Sequence, residues 1–136
     1  MSRGICRVVL DTNIVLSAAL KRDGLESKIL RRVLSGECRL YTSHPILQEY
    51  ADVLRRPKFG LSHANVQQII EGLETAGFIV EPVRRIRACS DPDDNMFLEC
   101  AETAHADYLI SGNLRHFPTE WKETRIVSSR QFLASV

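Results

Sequence analysis

The stretch VVLDTNIVLSAAL, residues 8–20, decides the fold of this 136-residue chain. The apolar run ICRVVL, residues 5–10, leads into it and predicts a strand buried on both faces of a parallel sheet. Asp11 follows the strand, and the apolar and small residues over 13–20 predict a helix. Two roles are therefore open to Asp11: its carboxylate can cap this helix, or it can bind a metal ion.

The rest of the chain continues the alternation of strands and helices. Further strands are predicted at residues 38–43, 78–83 and 107–113 and at the start of TRIVSSRQFLASV, residues 124–136, which ends in a short helix. Helices are predicted within residues 26–37, 45–55, 62–77 and 93–106. This alternation predicts an α/β sandwich around a mostly parallel sheet, in which ligands bind beyond the carboxyl ends of the strands.

Length, charge and cysteine content narrow the class of protein. The length predicts a single domain over residues 1–136. A net charge of +1 gives no bulk attraction to nucleic acid, so such a role requires a local basic patch. No apolar run approaches the ~20 residues of a membrane span, and no signal-peptide pattern is visible, so we expect no membrane association. The 4 cysteines are dispersed, which predicts free thiols in the cytoplasm rather than a disulfide or a cysteine-bound zinc.

A second acidic point lies in SDPDDN, residues 90–95, where three aspartates crowd the start of a predicted helix. The helix dipole favours anions there, but three acids within four positions exceed what one helix end requires. Like charges held this close favour bridging by a cation, although a solvated helix start explains two of the three. Glu49, on the flank of helix 45–55, can point over the end of the sheet or can be an ordinary exposed glutamate, whereas Asp52 is expected to face solvent.

Carboxylates from separate elements that meet at one sheet edge predict a site for a hard cation such as Mg²⁺ or Mn²⁺. No thiolate or imidazole has ligand spacing in the pattern, which disfavours zinc. Cations held by several carboxylates can lower the pKa of a bound water and stabilise the leaving oxygen of a phosphodiester. The acids thus indicate metal-dependent hydrolysis of a phosphate ester.

With these residues identified, the chain resembles the PIN-domain family of metal-dependent ribonucleases, and most closely the bacterial and archaeal PIN proteins described as toxins of type II toxin–antitoxin pairs. The matching stretches are VVLDTNIVLSAAL, SHPILQEYADVLRRPKF, CSDPDDNMFLECAETAHADYLISGN and RHFP, in the order and spacing of the family. The resemblance implies a three-layer α/β/α sandwich with a mostly parallel, five-stranded sheet.

The resemblance also assigns site residues. It makes Asp11, Glu49 and Asp94 the metal ligands and catalytic residues, with Asp91 and Asp93 as neighbours that can substitute as ligands. Three polar residues would support the site: Asn13, Ser111 and Asn113. Many members carry a fourth acid where this chain has Asn113, which leaves open whether one or two metal ions bind, because an amide brings an oxygen without a charge.

An RNA substrate is a polyanion, so basic residues must flank an acidic site. Arg115 is the leading candidate because it follows a predicted strand end. The other candidates, each also explicable as solvated surface charge, are His116 in the run LRHF, the run RRPK (Arg55, Arg56, Lys58) and the run RRIR (Arg84, Arg85, Arg87). The resemblance further implies a small antitoxin protein as partner and a homodimer.

Two alternatives to a nuclease stay open. One is a non-catalytic PIN domain that binds RNA or protein and has a degenerate metal site. The other is a phosphatase of the haloacid-dehalogenase type, which also begins with a strand ending in aspartate. That chemistry requires a second aspartate two residues later, and this chain has Asn13 there, which argues against it.

Overall fold

The computed structural model describes residues 4–135. Its strands are Arg7–Leu10 (β1), Arg39–Thr42 (β2), Phe78–Ile79 (β3), Tyr108–Ile110 (β4), Glu120–Trp121 (β5) and Thr124–Val127 (β6). Its α-helices are Thr12–Leu20 (α1), Leu25–Leu34 (α2), His44–Leu54 (α3), His63–Ala76 (α4), Asn95–Ala104 (α5) and Ser129–Ser135 (α6). Met1–Arg3 and Val136, which complete the predicted domain over residues 1–136, lie outside the described residues.

The strands form one sheet in the order β3-β2-β1-β4-β6-β5 within an α/β/α sandwich, as the sequence predicts. All neighbouring pairs are parallel except β5 and β6. From β1 the chain builds outward to β2 and β3, and then crosses to the other side of β1 to form β4. The order therefore reverses between β1 and β4, and the crevice at their carboxyl ends is where open α/β sheets bind ligands.

The prediction of five strands is wrong, because the sheet has a sixth strand, β5. It pairs antiparallel with β6 in a hairpin, with Trp121 opposite Thr124. The loop between them is two residues long, and Lys122 adopts a φ of 54° there, a left-handed conformation that usually marks glycine or asparagine. A two-residue strand with a lysine turn has neither the alternation nor the turn residues by which hairpins are predicted.

Two element boundaries near the carboxyl edge of the sheet differ from the predictions. The strand predicted over 78–83 ends at Ile79. One further hydrogen bond to β2 follows, from the Val80 amide to the Thr42 carbonyl at 2.8 Å. The chain then leaves the sheet before Pro82, which has no amide hydrogen to donate. The helix predicted over 93–106 begins at Asn95, because Pro92–Asp94 forms a separate turn of 3₁₀-helix. That turn sets the direction in which the acids of residues 91–94 project.

The centre of the core is formed by β1 and β4, whose apolar side chains are buried on both faces of the sheet. Tyr50 on α3 is fully buried, and its hydroxyl donates to the Leu10 carbonyl at the end of β1. This bond fixes α3 against the carboxyl edge of the sheet. Glu49 directly precedes Tyr50 on α3 and therefore lies near that edge.

The cysteine side chains and the helix lengths bear on two expectations from the sequence. All four cysteines lie in the described part of the chain and carry free thiols, as predicted. Among residues 4–135, no helix combines the length and the apolar character that crossing a membrane requires.

Candidate metal centre

Asp11 lies at the switch point between β1 and β4 and is buried, with 4% of its surface exposed. Its backbone amide continues the ladder to the Ile110 carbonyl at 2.9 Å. Its Oδ1 accepts a hydrogen bond of 2.7 Å from the Thr12 amide, and its Oδ2 accepts one of 2.7 Å from the Ser111 hydroxyl. The carboxylate thus caps α1, and each oxygen keeps a lone pair that can coordinate a cation.

Burial is the main cause of a raised pKa at Asp11, because it penalises the charged form. The hydrogen bonds from Ser111 and Thr12 and the nearby His116 act in the opposite direction. A buried carboxylate that needs these partners to remain ionised is stabilised further by a cation placed against its free lone pairs.

Asp94 ends the 3₁₀ turn that precedes α5, and its amide donates to the Asp91 carbonyl at 3.0 Å. Its side chain is 16% exposed, and its buried Oδ2 receives no hydrogen bond within the described structure. Burial, followed by the charges of Asp11 and Asp91, raises the pKa of Asp94 to about 6. Asp94 and Asp11 therefore lie close enough to repel each other when both are ionised.

Glu49 approaches the same edge from α3. That helix begins after Ser43, whose hydroxyl accepts from the Ile46 amide at 3.4 Å. The pKa of Glu49 is raised first by burial and then by the charges of Asp93, Asp52 and Asp11, against the lowering effect of Arg56. Glu49 is thus half-buried within electrostatic reach of Asp11, although Asp52, one turn along, is exposed as expected.

The other predicted polar residues lie at different depths. Asp91 and Asp93 are exposed, and Asp91 Oδ1 caps the 3₁₀ turn by accepting from the Asp93 amide at 3.0 Å. Asn13 is exposed on the first turn of α1. The Asn113 amide donates to the Ser111 hydroxyl at 2.9 Å, so that Ser111 links Asn113 to the Asp11 carboxylate.

Asn95 is a site-supporting residue that the sequence analysis missed. It is buried, and its Oδ1 accepts from the Ala88 amide at 3.1 Å and the Cys89 amide at 2.9 Å. These bonds hold the segment before the acids against the start of α5. A polar residue directly after an acidic cluster, at the first position of a helix, was the available signal.

His116, which the sequence analysis proposes only as a basic residue for RNA binding, lies against an acid of this site. Its Nδ1 lies 3.3 Å from Asp94 Oδ2, and its charge lowers the pKa of both Asp94 and Asp11. An imidazole therefore contacts the acids, although no histidine has ligand spacing in the sequence. The spacing of the histidines in sequence does not show this contact, because the chain between Asp94 and His116 forms α5 and β4 before returning.

The basic residues divide into two groups. Arg84 is bound to the Glu102 carboxylate by two hydrogen bonds, of 2.7 and 2.6 Å. The other predicted RNA-binding arginines are exposed: Arg55, Arg56, Arg85 and Arg115. Arg85 and Arg87 border a cleft of about 1000 Å³ that also contacts Glu49 and Asp93. Of the predicted site acids, this cleft is lined by Glu49 and Asp93, whereas Asp11 and Asp94 lie outside its lining.

The donor set fits a hard divalent cation. Asp94 offers a buried oxygen without a hydrogen-bond donor, and Asp11 offers spare lone pairs beside it. Within residues 4–135, however, no three Asp, Glu, His or Cys side chains converge closely enough to surround one ion. Binding would therefore draw in at least one further side chain, and Glu49 is half-buried at the same edge.

An acidic site at the switch point of a parallel α/β/α sheet defines a nuclease-like class of protein. Residues 7–115 match the PIN domain family, and the chain therefore belongs to that family. Proteins of this family are commonly nucleases and usually use divalent metal ions. A relative from Methanocaldococcus jannaschii, the uncharacterized protein MJ1680, is 31% identical over 110 residues, which span 79% of this chain and 70% of the relative.

Proposed function

We propose that the protein is a Mg²⁺- or Mn²⁺-dependent endoribonuclease that hydrolyses RNA phosphodiester bonds with water as the nucleophile. The observation that carries this proposal is the pair of carboxylates at the switch point of the sheet, the buried Asp11 and the half-buried Asp94. Neither is paired with an arginine or lysine in the described structure, and the cationic side chain against Asp94 is His116, whose Nδ1 lies 3.3 Å from Oδ2. The charge of Asp11 raises the pKa of Asp94, and a divalent cation between the two carboxylates would offset this repulsion.

Each acid has a defined part in this mechanism. When bound, the cation polarises the scissile phosphate and lowers the pKa of the attacking water. Asp11 and Asp94 would hold the cation, since they lie close enough for the charge of Asp11 to raise the pKa of Asp94. Glu49, half-buried on α3 at the same edge, would be the third ligand, and the exposed Asp91 and Asp93 would strengthen the negative potential around the site. Ser111 keeps Asp11 in its ligating orientation, with Asn113 and Asn13 ordering the surrounding loop.

The cleft beside Glu49 is the proposed path of the RNA strand. Its basic margin, formed by Arg85 and Arg87, can contact phosphates while the scissile phosphate lies at the acids. Arg115, adjacent to His116, and Arg55 and Arg56, at the end of α3, extend this margin. Arg84 contributes less, because its guanidinium is already bound to Glu102.

The resemblance to toxin-type PIN proteins supports three further parts of the proposal. The protein would be the toxin of a toxin–antitoxin pair in the cytoplasm, a small antitoxin would cover the acidic crevice, and the toxin would form a homodimer. The chain would act as one domain over residues 1–136. An open reading frame for a small protein beside this gene is the corresponding observation to seek.

The test is cleavage of single-stranded RNA by the purified protein with Mn²⁺. We expect cleavage that stops on chelation and falls at least ~100-fold in Asp11→Asn, since a metal ligand is lost. Asp23→Asn is the matched control, because Asp23 is exposed in the loop beyond the far end of α1. Equal activity of Asp11→Asn and Asp23→Asn would reject the proposed site.

Asn113 favours a second candidate function, a PIN domain that binds RNA or protein without cutting it. Its side chain brings no charge to the position after β4. In that case the protein would bind RNA equally with and without metal, and it would leave the strand intact at every Mn²⁺ concentration.

A further inference from the structure

We propose that one face of the sheet binds single-stranded RNA at a second surface, where exposed aromatic rings stack against bases and arginines contact phosphates. This surface, the aromatic platform, consists of Arg7, Arg39, Tyr41 and Phe78, on strands β1, β2 and β3. The inference takes its ligand, RNA, from the proposed function, on which it rests. It adds a binding surface that contains none of the acids.

Strand pairing brings the four side chains of the aromatic platform to one face of the sheet. Arg7 is paired with Arg39 across β1 and β2, and Tyr41 is paired with Phe78 across β2 and β3. Paired residues of neighbouring strands project to the same face, and so do residues two positions apart in one strand. The platform is therefore held by the sheet, and its geometry does not depend on a loop.

The four side chains form one continuous series of contacts. The ring centroids of Tyr41 and Phe78 lie 5.4 Å apart, with 26° between the ring planes, which is a stacked arrangement. At one end, the guanidinium carbon of Arg39 lies 5.3 Å from the Phe78 centroid. At the other end, that of Arg7 lies 5.8 Å from the Tyr41 centroid. Two stacked rings are thus flanked by a cation on each side.

The aromatic platform offers both an exposed ring and cations without an acidic partner. Phe78 is 49% exposed. Arg7 donates to the Ala104 carbonyl at 3.3 Å, but within residues 4–135 neither Arg7 nor Arg39 forms an ion pair with a carboxylate. Aromatic rings that stack on bases, next to cations that bind phosphates, are features of surfaces that bind single-stranded nucleic acid. An acidic peptide would pair with the arginines but would leave the ring without a planar partner.

The aromatic platform is connected to the cleft proposed as the path of the RNA. The chain leaves β3 after Ile79, and Pro82 then lines that cleft together with Glu49. Along β1, the distance from Arg7 to Asp11 corresponds to about 13 Å of extended chain. One RNA strand can therefore occupy both surfaces, with the scissile phosphate at the acids and a flanking nucleotide on the platform.

The experiment measures the affinity of a short, fluorescein-labelled single-stranded RNA by anisotropy, in a chelating buffer that prevents metal-dependent cleavage. Phe78→Ala should weaken binding about fivefold or more, because one base loses its stacking partner. Phe78→Trp keeps an aromatic face and should retain the affinity. Leu20→Ala is the matched control, because Leu20 is 46% exposed at the end of α1, and it should bind RNA as the wild type does.

Further measurements separate stacking from charge. Arg39→Gln should reduce the slope of log affinity against log salt concentration by about 0.7, because one phosphate contact with a single strand is lost. Phe78→Ala should leave that slope unchanged. It should also leave binding of the same RNA as a duplex unchanged, because the base faces of a duplex are already stacked. In the wild type, the NMR resonances of the Tyr41 and Phe78 ring protons should shift when the RNA is added.

The outcomes distinguish this proposal from the proposed function. Wild-type RNA affinity of Phe78→Ala would overturn the aromatic platform, as would ring resonances that do not respond to RNA. A change in sedimentation of Phe78→Ala at unchanged RNA affinity would also overturn it and would make the surface a contact between copies of the chain. If Phe78→Ala weakens binding but the wild type cuts no RNA with Mn²⁺, the platform stands and the nuclease proposal fails. If Phe78→Ala binds and cuts RNA as the wild type does, only the platform fails.

Discussion

The hydroxyl of Ser111 donates a hydrogen bond of 2.7 Å to Asp11 Oδ2 and so joins the carboxyl ends of β1 and β4. Both residues are buried, and they are separated by 100 positions in the chain. The same hydroxyl accepts from the Asn113 amide at 2.9 Å, which fixes the direction of its own proton. One small side chain therefore orients the carboxylate at the centre of the proposed metal site.

Ser111→Ala is expected to destabilise the fold by about 1–3 kcal/mol, because it leaves a buried carboxylate oxygen without its donor. Denaturation by urea, followed by circular dichroism, measures this change. Ser129→Ala is the matched control, since the buried Ser129 hydroxyl has no hydrogen-bond partner in the described structure. We expect the control to stay within about 0.5 kcal/mol of the wild type. Equal effects of the two substitutions would contradict the role of Ser111.

Asp94 should make the metal-free protein less stable as the pH rises. Its pKa is about 6 in the folded state and is raised from 3.8, so the folded state binds the proton more tightly than the unfolded chain. The free energy of unfolding should therefore fall between pH 4 and pH 6 by on the order of 1–2 kcal/mol, after allowance for solvent screening.

Asp94→Asn should remove this fall and should be more stable than the wild type above pH 6 without metal. Thermal unfolding at several pH values, in a chelating buffer, measures the difference. Excess Mn²⁺ should reverse the order at pH 7, since binding at 100 times the dissociation constant stabilises the wild type by about 2.7 kcal/mol. A wild type whose stability is independent of pH over this interval would contradict the account.

Asn95→Ala should loosen the segment that precedes the acids. The substitution removes the acceptor for the Ala88 and Cys89 amides, and we expect a loss of about 2 kcal/mol. Hydrogen exchange at these two amides, measured by NMR, should accelerate more than exchange in β1. Asn65→Ala, at an exposed position of α4, is the control and should change neither quantity. Unchanged protection at both amides would show that another contact holds the segment.

Arg115 and Arg84 should differ in their contribution to RNA binding. Arg115 is exposed beside the site, whereas Arg84 is held by Glu102. Arg115→Ala should weaken binding of single-stranded RNA. It should also reduce the slope of log affinity against log salt concentration by about one, because one phosphate contact is lost. Arg84→Ala should change that slope little. Fluorescence anisotropy across a salt series, with Ca²⁺ in place of Mn²⁺ to suppress cleavage, measures both slopes.

The architecture was largely predictable because it depends on local patterns. Buried runs such as residues 5–10 and 107–113 predict strands, and helices between them require parallel crossovers. The short hairpin of β5 was not predictable, since its turn at Lys122 lacks the residues that mark such turns. The separate 3₁₀ turn at Pro92–Asp94 was missed because helix boundaries depend on side-chain caps such as that of Asp91.

The residues of the site were likewise predictable only in part. By itself, the sequence determined that Asp11 follows the central strand and that acids cluster at residues 91–94, because parallel strands bring their carboxyl ends to one edge. Only the tertiary structure decided that Asp94 is half-buried while Asp91 and Asp93 are exposed. It also brought Ser111 to Asp11 and His116 to Asp94. These contacts join residues that are distant in sequence, and they depend on how the intervening loops return to the edge of the sheet. Neither hydrophobic periodicity nor residue spacing specifies that path.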